Sequence, residues 1–353
     1  MRNDKMILEA IRALVKGVSP EIDITDLLYI HRCYYLLAKL KQPHKYTKAI
    51  SESEEINRIK VIERYKALHN LFYFLEEKKI PYAVIKGAVL SNTIYGDCYL
   101  RRSGDVDILM CRENVEEVKQ YMENIGFIQG RITQDGIQPF SRKELLFQSS
   151  KSHQIAPFVK YCGEQFKMNV EVDINLDIMW GESEEKADMG FVLENTDKTI
   201  VCGTEIKKLT NEMEFIALCL HHYKDMNSIY LLSKRKLSLS LFLDIYLFIK
   251  NANLNVRKLY TFCVRLNVTQ YVYYCLYYTD LIFDDDKVKK VAEVLKTPEA
   301  EKIIDYFGLT EKERHKWDID FVDRLFETDI NKYFEKVLTP NQQSKIEINK
   351  LLM

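Results

Sequence analysis

Arg101-Arg102-Ser103-Gly104-Asp105-Val106-Asp107-Ile108-Leu109-Met110-Cys111 is the stretch on which the fold turns. From Asp105 to Cys111 it reads as a strand. Successive side chains of a strand alternate between faces, so Asp105 and Asp107 share one face, about 6 to 7 Å apart along the backbone, while Val106 and Ile108 enter the opposite layer. Two carboxylates can then converge on one cation. Hard oxygen donors of this kind suit Mg²⁺ or Mn²⁺, and a phosphate-bearing substrate can fill the remaining positions. An acidic edge strand produces the same letters, so the neighbouring segments decide.

Upstream, Tyr82 to Lys86 reads as a strand that runs into Gly87 at the start of a helix expected over Gly87 to Tyr95. Free amides and the helix dipole there favour anionic phosphate, and glycine permits close backbone approach. Downstream, in a strand expected from Phe166 to Asn175, Glu171, Asp173 and Asn175 alternate with Val172, Ile174 and Leu176. Laid beside 105 to 111, that strand makes Asp173 a third acid. Three packed carboxylates repel and raise one another's pKa values unless a divalent metal neutralises them.

Working further outward, helical periodicity runs from Lys5, over Asp23 to Lys41 and over Ser53 to Lys79, with a break at Gln42-Pro43-His44. Further signals are a helix at Glu113 to Ile125, a strand at Ile155 to Tyr161 and a hairpin turn at Cys162-Gly163-Glu164-Gln165. From Asn211 the apolar period is again helical, over 212–223, 237–250, 254–266, 269–283, 286–296 and 320–337. The expected class is α+β: a small mixed-sheet core (81–205) between a helical N-terminal extension (1–80) and a helical C-terminal domain (206–353).

Composition narrows the function classes. Glycine (12) and proline (7) are scarce in the 353 residues; average usage would give about 25 and about 18, so a glycine-rich Walker cradle is not expected. Lys and Arg (51) nearly balance Asp and Glu (52), which argues against a chain that binds long nucleic acid or anionic membrane by bulk charge. Eight cysteines without a C-x-x-C pair suggest free thiols, no disulfide partner and a reducing cytoplasm. The most apolar run, Leu237 to Ile249, is too short for a bilayer and contains Asp244.

Lys86-Gly87, Tyr95, Arg101-x-Ser103-Gly104-Asp105-x-Asp107 and the later Val172-Asp173-x-Asn175 together resemble the nucleotidyltransferase superfamily of DNA polymerase β. More narrowly they resemble the uncharacterised nucleotidyltransferase family of bacteria, whose pattern runs L-K-G-x-x-L, R-x-x-G-D-I-D-L-L-V and E-L-H-W. Elements of abortive-infection type IV toxins are similar too. The resemblance covers roughly 60–250 and is most specific from Lys86 to Leu109. It implies that Asp105, Asp107 and Asp173 ligate Mg²⁺ (or Mn²⁺), that Asp173 assists deprotonation of an acceptor hydroxyl, and that Gly87 abuts a nucleoside triphosphate. Lys86, Arg101 and Ser103 would complete the nucleotide site, Arg101 as a structural or phosphate-neutralising cation. Two departures matter. Gly87 is followed by Ala88, so Ser91 or Ser103 would have to supply a hydroxyl, and Asn175 stands where histidine is typical, leaving Glu171 as competitor for the third acid.

The expected activity is transfer of a nucleoside monophosphate from an NTP to an acceptor hydroxyl, with pyrophosphate release. The acceptor is a small molecule, a peptide or protein, or an RNA end such as that of tRNA. The alternative is a catalytically silent nucleotide-binding or interaction protein. Blander readings apply elsewhere. His221 is expected to be buried and hydrogen-bonded, Asp244 to be a buried structural acid paired with an arginine or lysine, Lys234-Arg235-Lys236 to be a solvated helix start, and the run Tyr271 to Tyr278 to be core. Asp284 to Asp286 reads as a helix N-terminus.

Overall fold

The computed structural model describes residues 4–40, 42–151, 153–162, 168–181, 183, 185–233, 237–327, 330, 333 and 335–351. Eight strands pair in one mixed sheet: Tyr82–Ile85 (β1), Val106–Met110 (β2), Ile128–Thr133 (β3), Gly136–Pro139 (β4), Phe158–Cys162 (β5), Met168–Asn175 (β6), Thr196–Val201 (β7) and Thr204–Leu209 (β8). Their spatial order is β4-β3-β5-β6-β2-β1-β8-β7. β2 runs parallel to β6 and antiparallel to β1, while β1 runs parallel to β8. The central strands are Val- and Ile-rich, and every residue of β1 and β2 is buried, as expected where both faces of a sheet are covered.

The chain divides into two compact units, residues 51–218 with 251–255, and residues 1–50, 219–250 and 256–353. This differs from the three segments expected from the sequence, because helix Thr47–Glu77 is part of the sheet's core. Its Val61, Tyr65, Leu68, Leu71, Phe72 and Leu75 recur at helical spacing and pack with Tyr82, Val84, Val106, Ile108, Val172 and Ile174. Val118 and Met122 of helix Val115–Asn124 join the same cluster. The second unit is helical apart from a two-stranded ladder, Tyr306–Phe307 with His315–Lys316. Phe307 and Trp317 pack there with Ile229 and Leu232.

Several elements of the fold differ from those the sequence predicts. The helix expected over Asp23 to Lys41 is two short ones, Thr25–Ile30 and Tyr34–Ala38, separated where Arg32 takes a left-handed φ of 56°. In place of a continuous helix over 320–337, helix Phe321–Phe326 stops where Glu327 turns extended at ψ 135°, and a 3-10 turn follows at Glu335–Val337. The hairpins β3–β4 and β7–β8, and helices Arg142–Lys151 and Pro340–Leu351, went unread. β7 and β8 turn through Cys202 (φ 51°) and Gly203 (φ 78°), the two left-handed residues of a tight hairpin, in strands too polar to stand out. Beyond Cys162, the turn read at 162–165 lies outside the described residues, as do Lys234, Arg235 and Lys236. Among the described residues, no helix is long and apolar enough to cross a membrane.

Candidate active site

Register builds the site. Ile85 of β1 pairs with Asp107 of β2, and Asp107 pairs directly with Asp173 of β6. Because Val106, Ile108, Val172 and Ile174 enter the core shared with helix Thr47–Glu77, Asp107, Glu171, Asp173 and Asn175 share the other face of the sheet. Asp105 immediately precedes β2, close enough to Asp107 for the two carboxylates to repel.

β1 passes into helix Gly87–Tyr95 without a connecting loop. Lys86 (φ 57°, ψ −150°) and Gly87 (φ 46°) both adopt left-handed φ to do so. For a lysine this backbone is strained by about 1–3 kcal/mol, a cost that packing around it must offset. Gly87 also sits in a close fit: a Cβ there would crowd Ser103 Oγ at 3.3 Å and touch the Asp105 carbonyl oxygen at an ordinary 3.8 Å. The loop carrying Ser103 and Asp105 therefore lies against the strand-to-helix turn. Ser91, one of the two hydroxyls considered for the nucleotide, is excluded. It is fully buried, donating to the Asp97 carbonyl at 2.6 Å and accepting from the Arg101 backbone N–H at 2.9 Å. Ser103 keeps its place beside Gly87. Arg101 is fixed through that same backbone bond.

Asp107 is nearly buried. Its Oδ1 accepts from Lys86 Nζ at 3.2 Å and from Asn175 Nδ2 at 3.0 Å. Asn175 Oδ1 in turn accepts from Gln154 Nε2 at 2.7 Å. The departure from the family's histidine thus places an amide donor on a site carboxylate. Burial, followed by repulsion from Asp107, pushes the Asp105 carboxyl above the usual range. Asp173 is pushed up to about 7, by burial first and then by Asp107, Asp105 and Glu171. Glu171 is raised by burial and then by Asp105.

The donor chemistry fits a divalent cation: hard carboxylate oxygens on neighbouring strands whose charge is destabilised without a counter-ion. Among the described residues, no three acid, histidine or cysteine side chains are already drawn to one metal-sized centre. Lys86 supplies the positive charge at Asp107 instead.

Arg64 escaped sequence reasoning. It lies in the apolar stripe of helix Thr47–Glu77, only 6% exposed, and donates from Nη1 to the Ser103 carbonyl at 2.8 Å. Its signal was an arginine at the position of a core residue, between Val61 and Leu68 in helical register with both. Outside this site, the buried member of the pair His221-His222 is His222 and not His221. Residues 215, 219, 222 and 226 share the core-facing side of helix Asn211–Asn227, whereas His221 lies about 100° round and is partly exposed, 3.6 Å from Asp225. Asp244 is buried 3.6 Å from His222 Nε2. Tyr273, Tyr274 and Tyr278 are core, and Asp285 caps helix Asp286–Leu295 by accepting from Lys287 and Val288 N–H.

Comparison with known proteins bears on the family. No curated protein matches the chain. Among solved structures, a crystal structure of an antigenic nucleotidyltransferase-like protein from Paracoccidioides brasiliensis is similar at 14% identity and a TM-score of 0.35, covering 66% of this chain and 93% of that one; a score that low carries no weight for the fold. Residues 30–284, most of the chain and all of the segment from Lys86 to Asp173, match the model of the uncharacterised nucleotidyltransferase family. The chain belongs to that family.

Proposed function

We propose that the protein is a Mg²⁺-dependent (or Mn²⁺-dependent) nucleotidyltransferase that moves a nucleoside monophosphate from an NTP to an acceptor hydroxyl on a small molecule, a peptide or protein, or an RNA end. The observation that carries this reading is the direct register of Asp107 with Asp173, beside Asp105 and behind the Lys86-Gly87 turn. When bound by Asp105, Asp107 and Asp173, the cation would neutralise the carboxylates and the charge developing on the phosphates. The remaining work belongs to the chain. Gly87 and Ser103 shape a surface that phosphate oxygens can approach closely. Asp173, in register with Asp107 where Glu171 is not, takes the proton from the acceptor hydroxyl. The acceptor oxygen bonds the α-phosphorus, the bond to the bridging oxygen breaks, and pyrophosphate leaves with that electron pair.

The silent reading draws support from Lys86 and Asn175, which both occupy Asp107 Oδ1. One experiment separates the two. Purified protein with Mg²⁺ and each labelled triphosphate should release pyrophosphate across a screen of acceptor hydroxyls. Asp105→Asn and Asp107→Asn should each lower that rate by at least about 100-fold, the scale of losing preorganised charge stabilisation. Triphosphate binding with no turnover across the screen would favour the silent protein.

A further inference from the structure

We propose that Asn175, itself fixed by Gln154, is a positioning residue for Asp107: it holds the carboxylate by one oxygen and leaves the other to a divalent cation. This rests on the nucleotidyl-transfer reading and adds to it a supporting pair outside the three carboxylates.

β2 lies between β1 and β6, and Asp107 Oδ1 receives a donor from each side. Lys86 Nζ reaches it at 3.2 Å from just past β1, and Asn175 Nδ2 at 3.0 Å from the end of β6. Oδ2 accepts from no donor among the described residues, yet it is not sealed from solvent. Any other setting of the carboxylate gives up both bonds, so its orientation is fixed before a cation arrives. A hard cation can take a carboxylate through a single oxygen, and Oδ2 is the one left.

The direction of each bond in the relay is forced. A carboxylate oxygen only accepts, so Asn175 must turn its NH₂ to Asp107, and its carbonyl is then free to accept from Gln154 Nε2 at 2.7 Å. The same NH₂ lies 3.3 Å from the Asp173 carbonyl oxygen, on the strand that carries the third acid. Gln154 is held by the backbone. It faces Asn175 in an antiparallel bridge, flanked by Leu176 N–H on the His153 carbonyl at 2.7 Å and Ile155 N–H on the Ile174 carbonyl at 3.1 Å. Residues directly opposite in such a bridge share a face, which is why the two amides meet. Asn175 is only 2% exposed, and a buried amide must be hydrogen-bonded; here its donor goes to a site carboxylate. Being neutral, it orients Asp107 without adding to the positive charge of Lys86. The two donors that occupy Oδ1 therefore also fit a working site, because they leave Oδ2 open.

The test uses the full chain, Mn²⁺ and a non-hydrolysable triphosphate, with electron paramagnetic resonance separating protein-bound from free ion. Asn175→Leu should weaken Mn²⁺ binding by about 10- to 100-fold, the usual effect of removing a partner that orients a metal ligand. Gln154→Leu should weaken it in the same direction and by less. Should Asn175→Leu not fold, the half-buried Gln154 decides through its own variant. In isotope-labelled wild type, the Asn175 side-chain amide resonance should shift when Mg²⁺ and triphosphate are added, while that of Asn227, buried in the helical unit, should stay still. Unaltered Mn²⁺ affinity in either folded variant, or a stationary Asn175 amide, overturns this inference and leaves the nucleotidyl-transfer reading standing. A wild type that binds no Mn²⁺ in the presence of triphosphate removes that reading, and this inference with it.

Discussion

Asp173 is the residue whose environment has the most measurable consequence. An unfolded aspartate titrates near 3.8, whereas burial and the neighbouring Asp107 and Asp105 raise it to about 7 in the fold. Between those values the folded protein binds more protons than the unfolded chain, so this contribution to stability is fully present below 3.8 and is lost as pH rises through about 7. Asp105 and Glu171 are raised as well and act with the same sign. Without divalent cations the melting temperature should therefore drop between pH 5 and 8, as read by calorimetry in chelator, by roughly the few degrees that 1 kcal/mol or more represents in a protein of this size. Added Mg²⁺ should restore it at pH 8. Asp173→Asn should flatten the slope, and an undiminished slope in that variant would remove Asp173 from the cluster.

At the level of elements, the junction of β1 with helix Gly87–Tyr95 is where local backbone chemistry and the site coincide. Gly87→Ala must hold a Cβ-bearing residue at φ 46° while approaching Ser103 Oγ, so it should destabilise by about 1–2 kcal/mol from the left-handed backbone alone. It should also weaken triphosphate binding, because Ser103, whose Oγ would stand 3.3 Å from the new methyl, must give way. Urea denaturation gives the first quantity and calorimetry the second. A variant that lost stability but kept its affinity would show that the turn supports the fold without shaping the nucleotide surface. Lys86, strained beside it, is held in place partly by its bond to Asp107, which ties the turn to the carboxylate it neighbours. The same junction shows why an element can be legible while its purpose is not. The glycine could be read as a phosphate-facing helix start, but its tight fit against Ser103 depends on a loop that comes 16 residues later in the chain.

Across the whole molecule, each of the two compact units has its own core, and perturbations in one should be readable separately from the other. Tyr274 donates its hydroxyl to Asn227 Oδ1 at 3.1 Å, with both residues buried in the helical unit. Tyr274→Phe leaves that oxygen without its donor and should destabilise by about 1–3 kcal/mol. Hydrogen exchange should quicken in helix Thr269–Phe283 while β1 and β2 keep their protection; equal acceleration in both would mean that the units unfold as one. The sequence by itself determined the α+β class, the strand that carries Asp107, the Gly87 turn and the aromatic helix core, because these follow from periods of two and 3.6 residues that each element carries alone. Only the tertiary structure decided that Asp173 stands in register with Asp107, that Asn175 and Lys86 share one oxygen of Asp107, that His222 and not His221 is enclosed, and that Arg64 reaches the Ser103 carbonyl from a helix. Those are contacts between segments distant in the chain, fixed by strand register and by which face a helix buries, and no local pattern encodes them.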